Sequence, residues 1–226
     1  MALTLTLHQS LTDKQRSILR EPSHFLTLSG PAGTSKTYIA LARGLKLLQQ
    51  QAVEKIVIIR SAVEIRSIGF LPGNQAEKLD AYAGPYIHLI NELSPKKNFR
   101  ALVASKELEF HCTSFLRGMT FDYSYIIADE YQNMNAHELE TIVTRVGEET
   151  HLVLCGDSDQ SDLKYDEAKE HKEVMATLNL MPDFAHYEFT TDEIVRSEFV
   201  KRYYQAKEGT LNAPNFLTRT RKVVEG

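Results

Sequence analysis

The sequence predicts an α/β fold around a largely parallel sheet. Short apolar runs alternate with stretches of helical periodicity, and a glycine-rich octet, Gly30 to Thr37, stands between the first such run and the first long helix. Strands are expected at His24 to Ser29, Lys55 to Arg60, Leu108 to Cys112, Tyr123 to Ala128, Leu152 to Gly156 and His186 to Thr190. Helices are expected at Lys36 to Gln51, residues 77 to 92, Ala136 to Thr144 and Asp192 to Lys207, with Thr12 capping a shorter one from Asp13 to Leu19. In the first long helix Ile39, Leu41, Ala42, Leu45 and Leu48 recur at helical spacing and should face the sheet; in the last, Ile194, Val195, Phe199 and Tyr203 do the same. Leu93 to Asn98 and Gly209 to Asn215 are the best linker candidates, but neither divides the chain. One domain is expected over 1–226, with a core at about 11–207 and a tail at 208–226.

The composition suits that architecture. Of 226 residues 42% are hydrophobic, enough for a substantial core, and 25% are charged, with no low-complexity tract. The net charge of −4 hides a segregation: residues 120 to 170 hold 13 acidic and 3 basic side chains, leaving 23 basic and 17 acidic elsewhere. A local basic face for nucleic acid is compatible with this, a strongly basic domain is not. Met1 to Gln9 has neither the basic start nor the apolar run of a signal peptide, and no run of roughly 18 apolar residues follows, so a cytoplasmic protein without membrane contact is expected. Cys112 and Cys155 fit no metal spacing and read as small buried thiols.

The octet Gly30-Pro31-Ala32-Gly33-Thr34-Ser35-Lys36-Thr37 approaches the phosphate-binding pattern G-x-x-x-x-G-K-[ST]. In that pattern backbone N–H groups at a helix N-terminus surround phosphate oxygens, Lys36 reaches the β/γ-phosphates and Thr37 holds Mg²⁺, so ATP and Mg²⁺ are the expected ligands. Ser35 stands where the pattern has glycine, so the loop must hold a torsion that a β-carbon tolerates or bend differently there.

Three further segments complete the expected site. Tyr125-Ile126-Ile127-Ala128-Asp129-Glu130 is an apolar strand ending in two acids; Asp129 would hold Mg²⁺ and Glu130 would polarise the attacking water. Leu152 to Cys155 leads into Gly156-Asp157-Ser158-Asp159-Gln160, where the Gln160 amide could position that water or report the γ-phosphate. Arg196, on a predicted helix start, could neutralise charge on the transferred phosphoryl group. Upstream, Gln15 carries the donors and acceptor that match the N6 and N7 edge of adenine.

Taken in order, the octet, Arg60 to Glu64, Gly69-Phe70-Leu71-Pro72-Gly73, Glu77 to Asp80, Leu116-Arg117-Gly118, Asp129-Glu130 with Gln132-Asn133, Gly156-Asp157 with Gln160, and Ile194-Val195-Arg196 resemble PhoH-like proteins over roughly residues 11 to 205. That family occurs in bacteria and phages and looks like the single N-terminal RecA-like half of superfamily 1 helicases. The resemblance implies a RecA-like P-loop NTPase fold with helices on both sheet faces, ATP hydrolysis, single-stranded RNA or DNA as partner, and a ring, plausibly a hexamer, in which Arg196 or Arg60 points at a neighbour's nucleotide. A phage source would place the protein in the host cytoplasm. Departures from the family pattern are Ser35 for glycine, Ser61 for proline, Met119 for arginine and Ser197 for histidine. A P-loop kinase would share the octet but normally needs an arginine-bearing lid and an acceptor pocket, and a non-hydrolysing nucleotide switch could dispense with Glu130. Phe70 and Leu71 with Arg66 could contact a single strand or, for Phe70, bury against the core; Lys96, Lys97 and Arg100 form a basic knot that reads as solvated surface.

Overall fold

The structure is a computed structural model that describes residues 3, 5–7, 11–61, 75–157 and 160–209, with backbone alone over 75–82. The segment holding Arg66, Phe70 and Leu71, residues 158 and 159, and the tail beyond 209 lie outside the described residues. In chain order the elements are α1 (Asp13–Ile18), β1 (Phe25–Ser29), α2 (Lys36–Gln49), β2 (Lys55–Arg60), α3 (Gln75–Leu93), α4 (Phe99–Ala104), β3 (Leu108–Cys112), β4 (Ser124–Asp129), α5 (Ala136–Val143), β5 (His151–Gly156), α6 (Tyr165–Asn179), β6 (Phe184–Glu188) and α7 (Glu198–Lys207).

All six strands pair in parallel, in the order β3-β2-β4-β5-β1-β6. Side-chain alternation along the strands divides the core in two. On one face Leu26, Ile58, Tyr125 and Ile127 pack against Ile39, Leu41 and Leu45 of α2, Tyr86 and Ile90 of α3 and Leu102 of α4. On the other, Val57, Ile126, Leu152 and Leu154 pack against Leu139 and Ile142 of α5 and Leu178 of α6. Because β4 and β5 are covered on both faces, all twelve of their residues are buried, which is why they read as unbroken apolar runs. Cys112 and Cys155 are free and buried, as expected.

Local chemistry sets the helix starts. Thr12 and Gln15 form a reciprocal cap on α1, with Gln15 N–H donating to Thr12 Oγ1 (3.2 Å) and Thr12 N–H to Gln15 Oε1 (3.0 Å); Asn135 and Glu138 do the same on α5. Helix α2 crosses the sheet so closely that a β-carbon at Gly44 would stand 2.6 Å from the Tyr125 ring. Beside it the buried Arg43 guanidinium donates to the carbonyls of Glu21 (3.1 Å) and Ser23 (2.7 Å) and lies 5.6 Å from that ring's centre.

The sequence expectations fail in the last third of the chain. Helix α6 was not expected: its charged surface leaves only His171 and Leu178 buried, too few apolar positions to mark a period. Strand β6 begins two residues before the expected His186, since Phe184 is buried, pairs with Phe25 and stacks on its ring (6.1 Å). The expected helix Asp192 to Lys207 is two pieces. Thr191–Glu193 forms a 3₁₀ turn, Ile194 is extended (φ −68°, ψ 119°), and Ser197 caps α7 by accepting from Val200 N–H (3.2 Å). Its expected sheet-facing stripe does not face the sheet. Ile194 is buried, but Val195, Phe199 and Tyr203 are 49%, 74% and 59% exposed. Helix α4 was also not expected, and the stretch Leu93 to Asn98 is a short link whose Asn98 caps it.

Candidate functional site

Adjacency of β4, β5 and β1 brings the motifs together. Register aligns Ser29 with Gly156 and Asp129 with Cys155, so the octet, the acid pair and the Asp157 to Gln160 turn all leave the carboxyl edge of the sheet side by side.

The octet wraps from β1 into α2. Lys36 Nζ donates to the carbonyls of Gly30 (2.5 Å) and Pro31 (3.0 Å) and lies 3.4 Å from Thr34 Oγ1, which itself donates to Pro31 O (2.9 Å). Ala32 is exposed at the tip, whereas Thr34 is fully buried. Burial holds the Lys36 ammonium below its ordinary pKa, opposed by the charges of Asp157, Cys155, Glu130 and Asp129. Ser35 takes the left-handed conformation (φ 63°, ψ 33°), and its side chain makes no cap bond to α2. The loop therefore keeps the bend a glycine would give, at a steric cost of about 1 kcal/mol.

Asp129, 6% exposed, is held from two sides: Thr37 Oγ1 donates to Oδ1 (3.0 Å) and Tyr86 Oη to Oδ2 (2.6 Å). Burial pushes its carboxyl above the ordinary range, and the Tyr86 hydrogen bond is the leading opposing influence, with Glu130 raising it and Arg60 and Thr37 lowering it. Burial next to Asp129 keeps the Tyr86 hydroxyl protonated, so it remains a donor. Arg60, at the end of β2, acts on both groups within the same chain. Thr37 and Asp129 present two oxygens at one point; among the described residues no group of three or more histidine, cysteine or acidic side chains forms a protein-only metal cage. That sparse oxygen set fits Mg²⁺, which keeps several waters and uses one or two protein ligands beside phosphates.

Glu130 is left-handed (φ 55°, ψ 43°), which turns the chain out of β4 into the 3₁₀ turn Tyr131–Asn133. Gln132 then joins two strands: its Nε2 donates to Glu130 Oε2 (2.7 Å) and its Oε1 accepts from Asp157 N–H (3.0 Å). Gln160 Nε2 donates to Asp157 Oδ2 and to Tyr204 Oη of α7, both at 2.8 Å. Arg196 is exposed beside the octet, where the preceding Val195 N–H donates to Gly33 O (3.0 Å). Gly33 has φ +91°, and a β-carbon there would stand 3.2 Å from Arg196 Cβ and from Ile194 Cγ2, so its lack of a side chain lets this segment dock.

The predicted residues thus form one cluster, with two adjustments. Arg196 lies at a bend in the link before α7 and not on a helix start. Gln15 is 2% exposed, its amide bonded to Thr12 N–H and to Thr34 O (3.3 Å), so it reaches an adenine edge only by giving up bonds inside the chain. It borders a cleft of about 280 Å³ beside the octet, with Leu11, Ser35, Tyr38 and Val195 on its other walls. Sequence reasoning missed Tyr86, the partner role of Gln132, and Tyr204. A lone tyrosine in a helix carries no signal of a carboxylate partner; Gln132, two residues beyond the acid pair, was the one of the three that position alone could have marked.

Comparison with known proteins gives the family. The family model described as PhoH-like protein matches residues 8–208. A PhoH-like protein of Mycobacterium leprae is 32% identical over 187 residues, covering 80% of this chain and 54% of that one, and Protein PhoH2 of Bacillus subtilis is 36% identical over 154 residues, covering 66% and 35%. The chain spans about half the length, or less, of these curated relatives. Among solved structures the large terminase of a thermophilic bacteriophage superimposes with a TM-score of 0.53 at 14% identity, covering 87% of this chain and 50% of that one, a likeness of fold. With its parallel α/β sheet and with the family model matched over most of its length, the chain belongs to the PhoH-like protein family.

Proposed function

We propose that this chain hydrolyses ATP to ADP and phosphate with Mg²⁺, working as a homo-oligomer, a hexamer in this reading, with single-stranded nucleic acid. The observation that carries this reading is the meeting of Lys36, the Thr37–Asp129 pair, Glu130 and Gln160 at the carboxyl ends of three adjacent strands, with the segment that carries Arg196 docked on the loop through Val195. In it, the N–H groups of Gly30 to Thr37 surround the phosphates at the N-terminus of α2, and Lys36 exchanges the Gly30 and Pro31 carbonyls for β/γ-phosphate oxygens. Thr37 and Asp129 hold Mg²⁺, which supplies neutralising charge on the phosphates. Glu130, oriented by Gln132, polarises the water; Gln160 senses the γ-phosphate from its place between Asp157 and Tyr204; Arg196 stabilises charge on the phosphoryl group. Gln15 supports the octet through Thr34 and borders the cleft where the base would lie. Water is favoured over a second substrate as acceptor because an acid and two amides line the side of the site that an acceptor pocket would need. Among the described residues no helix is long and apolar enough to cross a membrane.

Phosphate release from ATP, with and without single-stranded RNA, tests this reading. Lys36→Ala is expected to abolish nucleotide binding or turnover, and Glu130→Gln to keep binding while turnover falls about 10²-fold or more. Wild-type turnover in the Glu130 variant would overturn the assignment of the base. Light scattering that finds only monomers at full ATPase activity would overturn the oligomer.

A further inference from the structure

Helix α7 is unusual in this molecule: none of its residues is buried, and its two long sides differ in chemistry. The inner side carries Val200, close to Gly33, and Tyr204, whose hydroxyl accepts from Gln160. The outer side carries Phe199 and Tyr203, one helical turn apart and 74% and 59% exposed, with Arg202 exposed beside them; Lys207, one turn after Tyr203, is exposed at the border of the two sides, its Nζ 6.0 Å from the centre of the Tyr204 ring. One acid, Glu198, shares that side and stands 4.0 Å from Arg202.

We infer that this outer side of α7 is a docking surface for single-stranded nucleic acid, with Phe199 and Tyr203 as stacking platforms for bases and Arg202 and Lys207 as contacts to phosphates. Solvent-facing aromatics interleaved with cations match the chemistry of an unpaired strand, whose bases expose π-faces and whose backbone is anionic. A duplex hides those π-faces. A two-fold contact with a second copy of this chain is a poorer fit, because it would bring Arg202 and Lys207 towards those of the partner. The inference rests on the ATPase reading in one respect: the same helix holds Gln160 from its inner side and Gly33 through the segment before it, so a strand bound outside would bear on the nucleotide loops.

Fluorescence anisotropy with labelled oligo(U) and oligo(dT) tests the surface, and phosphate release without polymer is measured in parallel. The Phe199→Ala, Tyr203→Ala double variant is expected to lose about tenfold or more in affinity for the preferred oligomer, while Tyr203→Phe keeps wild-type affinity. Arg202→Glu should weaken binding and flatten its salt dependence. Turnover without polymer should be unchanged in all three, since these side chains lie outside the proposed nucleotide site. The difference between the two oligomers tells RNA from DNA. Wild-type affinity in the double variant, or no binding of either oligomer by the wild-type protein, would overturn the inference, as would a change of assembly in light scattering with polymer affinity intact, which would assign the surface to a second copy. If the wild-type protein binds polymer through these rings but releases no phosphate from ATP, the hydrolytic reading fails and the surface stands.

Discussion

The two central strands, β4 and β5, and the C-terminal segment from β6 to α7 are built on opposite terms. Every residue of β4 and β5 is buried, whereas β6 alternates between covered and open positions and α7 buries nothing. Yet proposed site residues come from both: Asp129 and Glu130 leave a buried strand, while Arg196 and the Tyr204 that holds Gln160 sit on the exposed segment. The difference teaches how the work divides. Groups that must not move stand on elements fixed by packing; groups that must answer a ligand stand on an element held by a few hydrogen bonds.

The sharpest way to break this comparison is to shorten one apolar side chain in each region. Ile127→Ala, at a fully buried position of β4, is expected to cost about 2–5 kcal/mol, and Phe199→Ala on α7 within about 0.5 kcal/mol of nothing, both read from denaturant unfolding. Equal losses would mean that α7 is packed as tightly as the sheet. Tyr86→Phe asks whether polar contacts in the centre are as strict as apolar ones. It keeps the ring but removes a donor from a buried carboxylate, and should cost about 1–3 kcal/mol and raise the Mg²⁺ concentration needed for half-maximal turnover. An unchanged Mg²⁺ requirement would separate Tyr86 from the metal site.

Acid sharpens the contrast further. His151, at the start of β5 and stacked on His24 (4.1 Å), is pushed down by burial to about 4 from an ordinary 6.5, with the charges of His24 and Arg43 adding to the effect. The folded state therefore favours the neutral ring. Its contribution is complete above pH 6.5 and is lost as pH falls from there through 4. His186 on the exposed β6 shifts in the same direction, by burial alone. Melting temperature followed over that window should fall less steeply in His151→Gln than in the wild-type protein, with a smaller change in His186→Gln; identical slopes in all three would remove His151 as the cause. The smallest effect is expected where the two regions meet. Ser35→Gly relieves a left-handed serine at the octet, near Val195, and should stabilise by no more than roughly 0.5 kcal/mol after the added chain entropy of glycine is discounted. A loss of stability would show that the serine hydroxyl contributes more than its torsion costs.

The same contrast explains what could be read in advance. Strands with two covered faces appear as apolar runs, and the octet and the acid pair appear as motifs, so the centre of the fold and most of its proposed site were legible. The C-terminal segment misled because helical periodicity assigns an apolar stripe to the core without knowing whether any core is there; Phe199 and Tyr203 have the right spacing and the wrong neighbours. Helix α6 was invisible for the converse reason, being buried through too few residues. The polar links were beyond reach because they join distant positions: Tyr86 to Asp129 over 43 residues, Gln132 to Asp157 over 25, Gln160 to Tyr204 over 44.

Position 132 shows what such a link demands of heredity. Its side chain must give a hydrogen to Glu130 at one end and take one from the Asp157 backbone at the other, across the gap between two strands. Glutamate would keep the acceptor but set a second negative charge against Glu130, asparagine is one methylene short, and lysine offers no acceptor at all. Histidine can donate and accept, but from the fixed positions of a rigid ring, so in a saturation library this codon should tolerate few residues besides glutamine, while codon 199 on the open helix accepts most residues in any screen for folding alone.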